Sequence, residues 1–300
     1  DLLKIGNYTA FVKKLQSVIN DQEVMGLLDS GTLDGSANDE KVSISKSSLK
    51  VKNGIPTQSE IDIDKSLSWQ LNGKGQTQAI MAGGTITIAG PIITLNNKYI
   101  LDGHHRWSQA YCFNPESNIT SINLSGIKDW KTALKAMQIA IGVEIGKIPI
   151  NVVNGKNLLK MGSSHIVKYV EKHIQPKPLQ DMVNSDVFRT WAKQNNHILN
   201  VEDMATNKNL AGAFVANNVK TMQSRSKPPS GVSNRGFMPQ TGDAPGFAAK
   251  LASGDVNFLQ PVTMNEGKYP EGGDCFMANA KEFLNEYYTK RGARLVHGEV

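Results

Sequence analysis

The spacing of apolar residues in the first half of the chain predicts short strands together with helices. Apolar and polar residues alternate in VSISKSSLKV, from residue 42, as is typical of a β-strand with one buried face. Short β-branched runs follow in TITIAGPIITLNNKYILD, with Gly-Pro and Asn-Asn between them, as in turns that join strands. We therefore expect a small mixed sheet with helices between about residues 42 and 150.

Helical spacing dominates the following part of the chain, from residue 155 to residue 222. Helical spacing is seen in Ile166 and Val170, which are four residues apart. It recurs later in Val183, Val187 and Trp191. The prolines in PKPL, residues 176–179, are expected to break the run between two helices. DWKTALKAMQIAIG, residues 129–142, has helical spacing as well. The predicted fold class is α+β.

These patterns divide the chain into five regions. RSKPPSGVSNRGFMPQTGDAPG, residues 225–246, is dense in Pro, Gly and Ser and has no periodicity, which predicts irregular structure and the clearest domain boundary. The predicted regions are 1–41, an N-terminal helix and linker; 42–153, the mixed domain; 154–224, a helical unit packed on it; 225–272, a Gly/Pro-rich linker; and 273–300, a helix and strand that begin a further module.

Composition narrows the class of protein without naming a function. With 39% hydrophobic and 20% charged residues, and without an apolar run of about 18 residues, the chain is typical of a soluble protein and not of one that spans a membrane. The start lacks the pattern of a signal peptide, so we expect a location in the cytoplasm or inside a particle assembled there. The net charge of +6 permits binding to nucleic acid or nucleotides, although no dense basic tract is present. The two cysteines form no CxxC pattern, which argues against a disulfide framework.

Candidate chemistry is concentrated in YILDGHHRW, residues 99–107, where two of the six histidines are adjacent. Tyr99 to Leu101 complete a predicted strand, Gly103 permits a tight turn, and Trp107 begins apolar helical spacing that stops at Asn114-Pro115. The histidines and Arg106 then occupy the first turn of a helix. Because the start of a helix carries unpaired N–H groups and partial positive charge, this arrangement favours a bound phosphate.

The same residues admit plainer interpretations, which the sequence leaves open. A strand–Gly–helix junction with one arginine is often only structural, and histidines at a helix start often only cap it. Asp102 suits either a helix N-cap or a contact to Mg²⁺. Adjacent helical residues point about 100° apart, so the histidine pair would need further ligands before it could hold a metal.

ILDGHHRWSQA resembles the signature of the ParB/sulfiredoxin superfamily, in which a strand ends in a Gly-containing loop and the next helix start binds nucleotide phosphate. GIPTQSEIDIDKSL, residues 54–67, is similar to the upstream Pro-x-Gln segment of ParB-like domains. The resemblance covers about a third of the chain and implies a sulfiredoxin-like fold that binds a nucleotide. The reductase chemistry is disfavoured because His104 stands where that enzyme has its cysteine, and the DNA-segregation clamp because its arginine-rich box is replaced.

The resemblance implies a Mg²⁺-dependent phosphoryl-transfer or nuclease-like enzyme that uses ATP or CTP, or cuts DNA. Gly103 and the neighbouring amides would hold phosphate, Arg106 would neutralise its charge, and His104 or His105 would act as acid or base. The remaining candidates are Glu60 as a base or metal ligand, Gln58 as a nucleotide contact, and Asp102 as a phosphate-site residue or metal ligand.

Two alternatives come from other parts of the chain. GGDCFMANAKEF places Cys275 at a predicted helix start, where the helix dipole favours a thiolate nucleophile of a C-terminal module. The succession of modules is also typical of a phage-encoded chain. The protein would then be a structural component of a virus particle that uses the ParB-like fold for binding, with DNA or other virion subunits as partners and no turnover.

Overall fold

The computed structural model of the chain describes residues 43–127, 129–134, 137, 156–197, 200–232 and 244–253. These residues form a mixed α+β protein, as the sequence predicts, and fall into two compact units. The larger unit holds the described residues of Lys46–Ile122 and Val152–Arg235. The other unit holds the described residues of Asp1–Ser45, Asn123–Asn151 and Gly236–Val300.

A six-stranded mixed sheet contains the strands in the order β1, β6, β4, β5, β2, with β3 paired to β6 beside this path. The pairs β2–β5 and β3–β6 are parallel, whereas β4 and β5 are antiparallel. The strands are β1 Ser43–Lys50, β2 Ile55–Pro56, β3 Thr85–Ile86, β4 Ile92–Leu95, β5 Tyr99–Asp102 and β6 Asn118–Ser125.

The hairpin of β4 and β5 positions the Asp-Gly-His-His-Arg segment at the end of β5. Asn96 and Asn97 turn the chain with φ values of 54° and 48°, as is typical of a type I′ turn, and Lys98 N closes the turn by donating to the carbonyl of Leu95 at 3.1 Å. Ile93 pairs with Asp102, and the register shifts by a bulge between Ile93 and Thr94. The turn predicted at Asn-Asn is confirmed.

Helices cover the sheet and build the second half of the larger unit. The described helices are α1 Ile63–Leu71, α2 Thr77–Ala82, α3 His104–Phe113, α4 Ser163–His173, α5 Pro176–Val183, α6 Asp186–Gln194, α7 Val201–Thr206, α8 Lys208–Arg225 and α9 Ala244–Ser253. Residues 130–134 are helical too, in the segment predicted as a helix.

Helix α3 lies at the centre of the larger unit and is buried on almost every side. Of its ten residues, only His105 and Gln109 are not buried. Trp107 is fully buried and its indole Nε1–H donates to the carbonyl of Val51 at 2.8 Å. A Cβ at Gly54 would lie 2.5 Å from that nitrogen, so the close approach requires glycine. The packing of α3 fixes where its first turn begins.

The helices after residue 162 pack on the same core as α3. Gly212 of α8 lies against Val167 of α4, where a Cβ would be 3.0 Å from the backbone of Val167, so the glycine lets the two helices approach closely. Asn218 of α8 donates from Nδ2 to the carbonyl of Cys112 at 3.0 Å. These contacts hold α4 and α8 within the larger unit.

The break that PKPL predicts between two helices is confirmed, since α4 ends at His173 and α5 begins at Pro176, where the missing N–H costs no hydrogen bond. The prediction for residues 225–246 needs correction. Helix α9 begins at Ala244, inside the stretch predicted to be irregular and within the predicted linker 225–272, and it buries Phe247, Ala248 and Leu251.

Several predictions fall outside the described residues. They are the N-terminal helix of 1–41, the C-terminal module of 273–300 and Cys275 within it. Among the residues that the structure describes, no helix is both long and apolar enough to cross a bilayer.

Candidate functional site

The predicted site begins at Gly103, which joins β5 to α3. Gly103 has φ 90° and ψ 24°, and its carbonyl accepts the first helical hydrogen bond, from Trp107 N at 3.0 Å. A Cβ here would lie 2.6 Å from Ile92 Cγ2 and 3.0 Å from Arg106 Nη2. Both the left-handed backbone and the lack of space therefore require glycine. No side chain caps the start of α3, so Asp102 is not its N-cap.

Arg106 is buried and holds the corner together. Its Nη2 donates to Asp102 Oδ2 at 2.9 Å, and its Nη1 donates to the carbonyls of Gly90 at 3.1 Å and Pro91 at 2.5 Å. Arg106 and Asp102 are each 8% exposed. The guanidinium therefore ties the end of β5 to the loop before β4. A direct contact between Arg106 and a phosphate, as the sequence predicts, would require some of these bonds to break or to be shared.

The two histidines bind the backbone of the loop that leads into α1. His104 Nε2 accepts from Thr57 N at 3.0 Å, and His105 Nε2 accepts from Asp62 N at 3.2 Å. Each bond needs an unprotonated Nε2, since an imidazolium nitrogen has no free lone pair. His104 is buried at 6% exposure, whereas His105 is partly exposed. Of the two, His105 is the one that a ligand could reach.

The loop of residues 57–62, which follows Pro56 and which we call the Pro-x-Gln loop, is held by hydrogen bonds within itself and to Ile100 and Asn157. Thr57 Oγ1 donates to the carbonyl of Ile100 at 2.6 Å. Gln58, the expected nucleotide contact, donates from Nε2 to the carbonyl of Glu60 at 2.7 Å and is buried. Asn157 closes the loop from a distant part of the chain: Nδ2 donates to the carbonyl of Ser59 at 2.7 Å, and Oδ1 accepts from Ile61 N at 3.0 Å.

Two helices begin at this corner. Asp62 is the N-cap of α1 and accepts from Lys65 N at 3.0 Å through its side chain, while its own N–H binds His105 of α3. Ser66 Oγ and Ser108 Oγ, one turn further along α1 and α3, lie 2.7 Å apart. Helix starts carry partial positive charge, so two of them close together favour a bound anion.

Buried polar side chains are concentrated in these two segments. Burying polar groups is costly unless they are hydrogen-bonded, and proteins tolerate such clusters mainly where function or specificity requires them. Glu60, the expected base, is 7% exposed and belongs to this group. The cluster consists of Thr57, Gln58, Glu60, Asp62, Asp102, His104 and Arg106.

The exposed rim of the cluster contains two residues that the sequence emphasised, Gly103 and His105, and others that it did not. Lys65 is exposed, and Ser59, Gly103, His105 and Gln109 are partly exposed. Gln109 Nε2 donates to the carbonyl of Lys65 at 3.2 Å, which places Lys65 next to α3. Sequence reasoning missed Ser59 and Lys65, although both lie inside the Pro-x-Gln segment. Asn157 had no local signal, because its partners are 96 and 98 residues away.

The described side chains do not form a ready metal site. Within the described ranges, no group of three or more His, Cys, Asp and Glu side chains could hold a metal ion. Asp102, the predicted Mg²⁺ ligand, shares its carboxylate with Arg106. A Mg²⁺ ion held by the protein alone does not fit this corner, because hard cations need several oxygen ligands.

Comparisons with known proteins add no further assignment. No protein-family model, curated protein or solved structure matches the chain.

Proposed function

We propose that the chain is a phosphate- or nucleotide-binding module of the ParB/sulfiredoxin type, and that its corner binds without turning over its ligand. The observation that carries this proposal is the cluster of buried polar side chains where α1 and α3 begin, beneath a rim that includes Lys65, His105 and Gly103. Two adjacent helix starts and an exposed ammonium group suit a phosphate.

Binding is favoured over catalysis because the residues expected to do the chemistry already make hydrogen bonds within the protein. Arg106 makes an ion pair and two carbonyl contacts, and both histidines accept backbone N–H groups at Nε2. A general base must reach the proton that it removes, and an arginine that stabilises a transition state must reach the phosphoryl oxygens. In this arrangement the Asp-Gly-His-His-Arg segment serves to shape the anion site.

The buried charged side chains at the corner affect which charge state of a phosphate ligand can bind. Glu60, Asp62 and Asp102 are buried carboxylates, and Arg106 is the buried cation that faces one of them. A polyphosphate would meet this negative charge as well as the helix starts. It is therefore better accommodated together with its own Mg²⁺, which reduces its net charge. ATP and CTP complexed with Mg²⁺ are the ligands to test first.

The resemblance also suggests where such a module acts. We propose a binding component that works in the bacterial cytoplasm or within a phage particle, with DNA or other virion subunits as further partners. The occupied histidines and arginine fit this non-catalytic version better than the nuclease or phosphotransferase.

A binding and turnover experiment tests the proposal. Thermal shift and calorimetry of the full chain with ATP, CTP and inorganic triphosphate, each with and without Mg²⁺, should reveal saturable binding and stabilisation of the folded state. Lys65→Gln should weaken binding several-fold, because Lys65 is exposed in the first turn of α1 and lies next to α3. Neither nucleotide should be hydrolysed.

Lys74→Gln provides the matched control. Lys74 is exposed just beyond the other end of α1, so its loss should leave affinity unchanged. Equal affinity of all three proteins would place the ligand elsewhere, and failure of every phosphate compound to bind would refute the proposal. Hydrolysis that disappears in His105→Ala would instead establish an enzyme.

A further inference from the structure

A cavity lies in the larger unit, away from the corner at Gly103. It has a volume of about 520 Å³ and lies among α6, α8 and the segment that follows α3. This volume falls within the usual range for sites that bind small molecules, roughly 300–1,000 Å³. The cavity shares no lining residue with the Pro-x-Gln loop or the Asp-Gly-His-His-Arg segment, so a ligand there would be independent of the proposed phosphate site.

Aromatic side chains form one part of the cavity lining. Trp191 and Phe214 both line it, with their rings at 73° and their centroids 5.2 Å apart. The indole nitrogen of Trp191 is buried and has no hydrogen-bond partner. This nitrogen has less than 1 Å² of accessible surface, so a ligand in the cavity would contact the ring of Trp191 and not its N–H.

Polar groups on α8 complete the lining. Asn218 is 6% exposed and uses its Nδ2 to donate to the carbonyl of Cys112, which leaves its amide oxygen as an acceptor. Arg225 is exposed and makes no ion pair or hydrogen bond with another described residue. Lys52, a second cation of the lining, is paired with Glu116 at 2.9 Å. Arg225 is therefore the cation available to an anionic ligand.

We propose that this cavity binds a small aromatic acid. Its ring would pack against Trp191 and Phe214, its anionic group would pair with Arg225, and a hydroxyl or ring N–H would donate to Asn218. The aromatic surface, the acceptor and the unpaired guanidinium favour this class, and the two carboxylates of the lining, Glu116 and Asp186, are paired with Lys52 and Arg189.

Titration of the full chain with 4-hydroxybenzoate, followed by NMR or calorimetry, tests the proposal. A fragment of this size should bind with a Kd on the order of millimolar. The uncharged 4-hydroxybenzamide should bind about tenfold more weakly, since it cannot form the charge-assisted hydrogen bond. Trp191→Leu removes the aromatic surface and should weaken binding several-fold, and Arg225→Gln should weaken it about tenfold.

Lys193→Gln is the matched control for charge, because Lys193 is an exposed cation on α6 that does not line the cavity. Its affinity for 4-hydroxybenzoate should equal that of the unaltered chain. Circular dichroism of each variant verifies that the fold is intact. Absence of saturable binding, equal binding of the benzamide, or unchanged affinity in both Trp191→Leu and Arg225→Gln would each overturn the proposal.

Discussion

His104 and His105 have the same chemical group but bind different parts of the loop that they hold. The sequence predicted that both lie in the first turn of a helix, which is confirmed. It could not predict their partners, because Thr57 lies 47 residues before His104 and Asp62 lies 43 residues before His105. The parallel pairing of β2 with β5 brings this loop next to α3. Local pattern therefore located the site residues, whereas tertiary contacts determine what they can do.

At the same scale, the acceptor role of His104 predicts a difference between two substitutions. His104→Ala leaves the buried N–H of Thr57 without an acceptor and should lower the free energy of unfolding by about 1–3 kcal/mol. His104→Gln can present an amide oxygen near the position of Nε2 and should lose clearly less. Urea unfolding of both variants measures the difference, and equal losses would show that the hydrogen bond does not matter.

Cys112 gives a second prediction at the scale of one residue. Burial raises the pKa of the Cys112 thiol, because the thiolate would be desolvated in the core. In a chain that carries Cys275→Ser, Cys112 should not react with a thiol reagent at neutral pH until denaturant is added. Rapid reaction of one thiol in the folded protein would contradict the buried position.

Among the structural elements, the β5–α3 corner depends on glycine for two separable reasons. Gly103 and Gly84 have similar φ values, 90° and 82°, but a Cβ would meet Ile92 at Gly103 and nothing within 4 Å at Gly84. Gly84→Ala should therefore lose about 1–2 kcal/mol, from backbone strain alone. Gly103→Ala should lose about 1–3 kcal/mol more, from the steric clash. Thermal unfolding of the two variants compares them, and equal losses would argue against the close contact with Ile92.

The contact between α4 and α1 predicts a dependence on alkaline pH. Tyr169 donates to Asp64 Oδ1 at 2.6 Å, and burial, followed by this hydrogen bond, raises the pKa of the Tyr169 hydroxyl. The folded protein then retains a proton that the unfolded chain releases near pH 10. The stabilisation is fully present below about pH 10 and is lost as the pH rises further.

Tyr169→Phe removes the ionisable hydroxyl and tests this dependence. Its stability should fall less steeply than that of the unaltered chain between about pH 9 and pH 11, as measured by urea unfolding at each pH. Parallel curves for the two proteins would mean that Tyr169 titrates alike in the folded and unfolded states.

Sequence patterns predicted elements better than they predicted where elements end. The Asn96-Asn97 turn, β1 and α3 follow from local propensity and alternation, and all are present. The repeat of Val183, Val187 and Trp191 shows the limit, because α5 ends at Val183 and α6 begins at Asp186, with Ser185 as its N-cap.

For the molecule as a whole, the sequence predicted an α+β fold but not how its distant parts meet. Asn157 reaches back to Ser59 and Ile61, and α8 packs against α3 and α4. The contacts of Asn157 and the contact of α8 with α3 each join segments at least 96 residues apart, and no local pattern encodes such pairs. The contacts of Asn157 hold the Pro-x-Gln loop beside the start of α3.

The central claim is that an anion binds where α1 and α3 begin. Amide NMR of the isotopically labelled chain, titrated with Mg²⁺ and inorganic triphosphate, tests it most directly. The account predicts saturable shift changes concentrated in residues 57–65 and 103–106. Shift changes confined to other parts of the chain, or none that saturate, would contradict it.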